Sequence, residues 1–162
     1  MKVIKSLILL SALLVSFNFT NAQELKALKN EDMVNEFLKD KDDKIVVVNL
    51  WAFWCQPCKE EFPDLIKFSK KNSDNAKLIL ISLDETKDLD TKTKPFLKSN
   101  DVDFMSYYNA FDKDEKLIMM LDKNWEGAIP STFFFKDGKL VKTLTGKHKE
   151  KEFQKAFDEV NQ

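Results

Sequence analysis

The sequence predicts an α/β fold in which helices cover both faces of a mixed sheet, and three observations carry that prediction. Ile45-Val46-Val47-Val48-Asn49-Leu50-Trp51 is a nearly continuous apolar, β-branched run, the composition of a strand buried on both faces. Leu78-Ile79-Leu80-Ile81-Ser82-Leu83 repeats that composition. Ser131 to Lys136 and Lys139 to Thr145 flank Asp137-Gly138, a two-residue turn signal that joins antiparallel strands. Buried strands separated by helical periodicity and followed by a hairpin give a mixed sheet between helical layers.

Each element follows in order. Lys2 and Lys5 precede the apolar run Leu7 to Val15, and Thr20-Asn21-Ala22 offers a cleavage site before Gln23. That is the layout of a secretory signal peptide, so residues 1–22 are expected to be an address and residues 23–162 the mature domain. The run is about half the ~20 apolar residues a spanning helix needs; an uncleaved membrane anchor is the alternative. Cys is absent at the cut, which gives lipid attachment no support. Leu25, Leu28, Met33, Phe37 and Leu38 approximate helical spacing and predict a helix over about 24–40. Pro57 sits where a helix can start, and Phe62, Leu65, Ile66 and Phe68 form its apolar stripe, with Pro63 expected to bend it. Residues 86–99 read as a helix interrupted by Pro95, and Asp112 is placed to cap a helix running to Leu121. Phe153, Ala156, Phe157 and Val160 give a terminal helix one apolar face. No repeat or linker divides the mature chain, so one domain is expected.

Composition narrows the function. All 26 basic residues are Lys, against 27 Asp+Glu; residues 23–162 hold 24 Lys and the same 27 acids, a net charge of −3. Near-neutral charge lacks the electrostatic footprint of a nucleic-acid binder, and the absence of Arg weakens any site needing a bidentate guanidinium clamp. Two cysteines among 162 residues do not make a disulfide-stapled scaffold.

Those two cysteines, in Cys55-Gln56-Pro57-Cys58, follow a buried strand and open a helix. There, backbone N–H groups and the macrodipole favour an anion, which stabilises a Cys55 thiolate, the nucleophile of thiol–disulfide exchange. Cys58, about one turn on, can attack a mixed disulfide formed by Cys55 and release the partner. Zinc would need four ligands, and beyond this pair only His148 is available. A c-type haem site would need His directly after Cys58, where Lys59 stands. A purely structural disulfide remains open at this point, although its very short loop contributes little entropically.

The stretch from Val48 to Pro63, with Trp54-Cys55-Gln56-Pro57-Cys58-Lys59-Glu60-Glu61-Phe62-Pro63 at its centre, resembles the active site of thioredoxin-fold proteins, and its ending resembles their exported TlpA/ResA branch. A second match, Ala128-Ile129-Pro130-Ser131-Thr132-Phe133, resembles the family's cis-proline loop, so the likeness spans about residues 40–162. The resemblance implies a thioredoxin-like three-layer α/β/α sandwich with a mixed central sheet. It also implies that Pro130 is cis and packs beside the disulfide, that Ile129 offers its backbone to an extended client strand, and that Trp54 covers one side of the site. An ordinary trans-proline loop is the alternative. Trp51 and Phe53 read equally as core aromatics, and Trp125 either shapes the client groove or packs its loop. His148 reads as a solvated side chain, and residues 84–103 as either a client-selecting insertion or scaffold.

Plain thioredoxins carry a buried Asp six residues before the first Cys; Asn49 holds that place here and cannot titrate. Glu61 matches the carboxylate of the TlpA/ResA branch, and a residue three beyond Cys58 can share its helix face. Glu61 is therefore expected to exchange a proton with the Cys pair, a solvated surface Glu being the alternative. The resemblance implies a periplasmic or secreted thiol–disulfide oxidoreductase without a cofactor, metal or nucleic acid. Its clients would be proteins with Cys pairs, apocytochromes c being the family's best known, and a membrane thiol–disulfide protein would donate electrons. Two alternatives stand beside it: a non-catalytic peptide-binding module, and a thiol peroxidase. Peroxiredoxins support their Cys with Thr and Arg, whereas Ala52 lies three residues before Cys55 and Arg is absent.

Overall fold

The computed structural model describes residues 24–39 and 44–162; the expected signal peptide and its cleavage point lie outside the described residues. The elements are β1 (Leu25–Leu28), α1 (Glu31–Leu38), β2 (Ile45–Trp51), α2 (Gln56–Lys71), β3 (Ala76–Ser82), α3 (Lys94–Ser99), β4 (Ser106–Asn109), α4 (Asp114–Leu121), β5 (Ser131–Lys136), β6 (Lys139–Thr145) and α5 (Glu150–Val160). Among the described residues the strands form one sheet in the order β1-β4-β3-β2-β5-β6. β1, β4, β3 and β2 run parallel, whereas β5 is antiparallel to both β2 and β6.

Central β2 is buried along its whole length, as a strand covered on both faces must be. Alternation sends its side chains to two cores. Val46, Val48 and Leu50 join Phe133 and Phe135 against α1 and α4, while Ile45, Val47 and Trp51 join Phe134 against α2, α3 and α5. The hairpin forms as its residues require: Asp137 and Gly138 both have positive φ, 54° and 73°, as a turn matched to strand twist demands. Among the described residues no helix is long and apolar enough to cross a membrane.

Two expectations need correction, and a third is redrawn. The helix expected over 24–40 is a strand followed by a helix: β1 pairs with β4, and α1 begins after Asn30, whose Oδ1 accepts from Met33 N–H at 3.1 Å. The pairing partner of β1 lies some eighty residues away, so local periodicity carried no sign of it. Asp112 does not cap α4; Lys113 occupies the cap without a side-chain bond, and Asp112 is paired with Lys116 at 2.8 Å. Residues 86–99 are a 3-10 turn (Thr86–Asp88), a π turn (Leu89–Thr93) and α3. Pro95 falls in the first turn of α3, where its missing N–H costs nothing. Pro63 lies inside α2 without ending it.

Candidate active site

β2 delivers the chain into a tight turn, Ala52 to Cys55, closed by Cys55 N–H donating to Ala52 O at 3.1 Å. Buried Asp84, just past β3, holds that turn. Its carboxylate accepts from Phe53 N–H at 2.9 and 3.1 Å, from Ser82 Oγ at 2.7 Å and from Thr93 Oγ1 at 2.8 Å. Trp51, Phe53 and Phe62 pack around Phe96 with ring centroids 4.9–6.0 Å apart, so Trp51 and Phe53 serve the core. Segment 84–103 thus buttresses the turn from below through Thr93 and Phe96.

The turn places Cys55 as the N-cap of α2, its Sγ accepting from Cys58 N–H at 3.2 Å. Cys55 and Cys58 form a disulfide with Cα atoms 5.3 Å apart; both are buried, Cys58 fully. In the reduced pair, the free N–H groups of the first helical turn lie where a Cys55 thiolate would sit. Across from it, the Ile129–Pro130 peptide bond is cis, and Ile129 O lies 3.8 Å from Cys55 Sγ. Trp125 braces this loop: its Nε1 donates to Ala128 O and Ser131 Oγ, both at 2.9 Å, and its ring packs edge-on to Phe133. Trp125 is a packed loop aromatic.

Glu61 is 1% exposed, which rules out a solvated surface Glu. It occupies the α2 face that carries Cys58, and both its oxygens are bonded: Oε1 accepts from Asn49 Nδ2 at 3.0 Å and Oε2 from His148 N–H at 3.0 Å. Asn49 Nδ2 also donates to Thr132 Oγ1 at 2.9 Å, its partner across the β2–β5 register. Burial pushes the Glu61 carboxyl up from 4.5 to about 7, the two N–H donors opposing the rise and the nearby Asp64 charge adding to it. A buried acid that changes charge near neutrality is suited to moving protons at physiological pH.

The fold therefore brings Cys55, Cys58 and the Ile129–Pro130 loop together, with Glu61 buried one helical turn beyond Cys58 on α2. Trp54 and Pro57 lie on the exposed rim, Trp54 with 66% of its surface open. His148 departs from expectation: its ring is half-buried against Phe153, centroids 6.0 Å apart, and its main chain serves Glu61. Sequence reading also missed Asp84 and Thr132. Their signal was available, since each is a polar residue in or just after an apolar strand run, where burial demands a partner.

Residues 20–143 match the AhpC/TSA family. The chain belongs to that family. Within it, this AhpC/TSA member is a TlpA/ResA-like thioredoxin-fold protein. It is 31% identical over 111 residues to the thiol-disulfide oxidoreductase ResA of Bacillus subtilis (strain 168), covering 67% of this chain and 57% of ResA. It is 27% identical over 107 residues to the thioredoxin-like protein YneN of the same organism, covering 57% of this chain and 61% of YneN. The chain thus matches less than two thirds of either relative's length. A DsbF homologue from Corynebacterium diphtheriae shares the fold, with a TM-score of 0.61 and 24% identity over 72% of each chain.

Proposed function

We propose that this AhpC/TSA family member is an exported thiol–disulfide oxidoreductase that reduces disulfides of client proteins. The observation that carries the proposal is a Cys55–Cys58 disulfide at a helix N-terminus, between a cis-proline loop and a buried carboxylate. In the reduced pair the Cys55 thiolate attacks one sulfur of a client disulfide; that S–S bond breaks and a mixed disulfide forms. Cys58 passes its proton to the Glu61 carboxylate and attacks Cys55 Sγ, which breaks the mixed disulfide. The two client sulfurs leave as thiolates and take up protons, one from Glu61 and one from water, to become the dithiol. Two electrons pass to the client, and Cys55–Cys58 is left oxidised.

Ile129 holds the client strand by backbone pairing, Pro130 shapes the docking surface beside the disulfide, and Trp54 and Pro57 stand on the rim. A membrane thiol–disulfide protein restores the dithiol, and apocytochromes c are the clients that the resemblance supports. The reducing direction rests on the likeness to ResA and on relative reduction potentials. Residues 1–22 act as the export signal and residues 23–162 as the mature enzyme. The family match favours peroxide reduction as a second reading; the lack of Arg and Ala52 at the supporting position speak against it.

Purified protein should accelerate insulin reduction by dithiothreitol. Its Cys58→Ser variant, expressed in the host, should accumulate mixed disulfides through Cys55 that dithiothreitol releases. A folded protein with both thiols free and no exchange activity would overturn the proposal, and direct peroxide consumption would replace it with the second reading.

A further inference from the structure

The β6–α5 connection runs along the outside of α2 and is tied to it at successive points. Lys147 Nζ pairs with Glu60 Oε2 at 2.6 Å, and His148 N–H donates to Glu61 Oε2 at 3.0 Å. Lys149 Nζ pairs with Asp64 Oδ2 at 3.2 Å, and Glu150 N–H reaches Asp64 Oδ1 at 3.3 Å. The same segment is anchored at its start: Gly146, with φ 88°, donates its N–H to Pro130 O at 2.8 Å. Gly146 thus touches the cis-proline loop, and two residues later the chain touches Glu61.

We propose that residues 146–150 are a positioning strap for Glu61, whose His148 N–H fixes the carboxylate and whose flanking lysines hold it closed from solvent. The inference rests on reading Glu61 as the proton carrier. A main-chain donor to the charged carboxylate favours ionisation, and exclusion of water disfavours it; the strap supplies both. The charged and titratable groups around Glu61 come from several elements. Its own helix presents Glu60 and Asp64, and the strap brings Lys147, Lys149 and the His148 ring. α5 adds Glu150 and Glu152, the latter 3.7 Å from His148 Nδ1. β2 and β5 offer only neutral Asn49 and Thr132. Lys147 and Lys149 are already paired with Glu60 and Asp64, so the bond made directly to the Glu61 carboxylate from this side is a main-chain one.

Nuclear magnetic resonance tests this without any thiol reagent. In the purified oxidised protein, the His148 amide proton and the Glu61 carboxyl carbon should titrate with one shared midpoint, and the amide titration should vanish in Glu61→Gln. His148→Pro removes the donor while Lys147 and Lys149 keep the strap in place. It should tighten proton binding at Glu61 by about tenfold, a rise of about one pH unit. His148→Ala keeps the N–H and should leave the Glu61 midpoint unmoved, which a role for the imidazole would not predict. An amide indifferent to Glu61 titration, or a proline variant with an unmoved midpoint, overturns the strap. Should the proline variant fail to fold, the wild-type amide titration still decides. Failure of the functional reading looks different: His148 and Glu61 titrate together, yet Glu61→Gln leaves thiol reactivity unchanged at every pH.

Discussion

Moving the Glu61 side chain out of water leaves its carboxylate with two N–H donors, from Asn49 and His148, in place of bulk solvent. They do not fully replace it, and the carboxyl rises to about 7. A group whose folded pKa lies above its unfolded value contributes stability that is fully present below the unfolded pKa and is lost as pH rises through the folded one. The window here runs from 4.5 to about 7, and the loss across it is about 3 kcal/mol. Glu61→Gln should therefore flatten urea midpoints across that window; a variant that keeps the wild-type slope would place the titration elsewhere. In the same variant, the pH profile of Cys alkylation should lose its inflection near neutrality if Glu61 carries the proton. The helical spacing of Cys58 and Glu61 was legible in the sequence. The second donor was not, because His148 is reached only when α5 folds back along α2.

At the scale of elements, the site is assembled from strand ends. β2 presents the Cys55 turn, Asp84 follows the end of β3, and β5 begins at the cis-proline loop. Asp84 meets three donors at once, from Phe53, Ser82 and Thr93. Asp84→Ala strands those buried donors, and unmade hydrogen bonds of this kind cost more than made ones contribute. A loss of roughly 2–4 kcal/mol in chemical denaturation is expected, together with a shift in Trp54 emission as the turn loosens. Unchanged stability would mean that the turn holds itself.

Across the whole molecule, the sheet separates two apolar cores. Phe153 belongs to the α2–α5 side and Leu117 to the α1–α4 side, both essentially unexposed. Phe153→Ala should cost about 3–5 kcal/mol and Leu117→Ala about 2–5 kcal/mol. Because the two residues lie in separate cores on opposite sides of the sheet, the double variant should add to within about 0.5 kcal/mol, read from equilibrium unfolding. Strong coupling between them would mean that the two cores repack as one. Each core alone is small for 162 residues, so both are expected to melt in a single cooperative step.

The sequence by itself determined what local chemistry can express. The β-branched runs of β2 and β3, the Asp137-Gly138 turn, the apolar face of α5 and the Cys55–Cys58 pair opening α2 each announce themselves within about fifteen residues. Only the tertiary structure decided what depends on distant partners. Residues 25–28 are a strand because β4 is there to pair with them, and Asp112 gave up its cap for Lys116. Asn49 is tolerable in a buried strand because Thr132 and Glu61 meet it. Hydrogen bonds between residues far apart in the chain leave no period in the sequence, since their partners are set by how the sheet and helices close on one another.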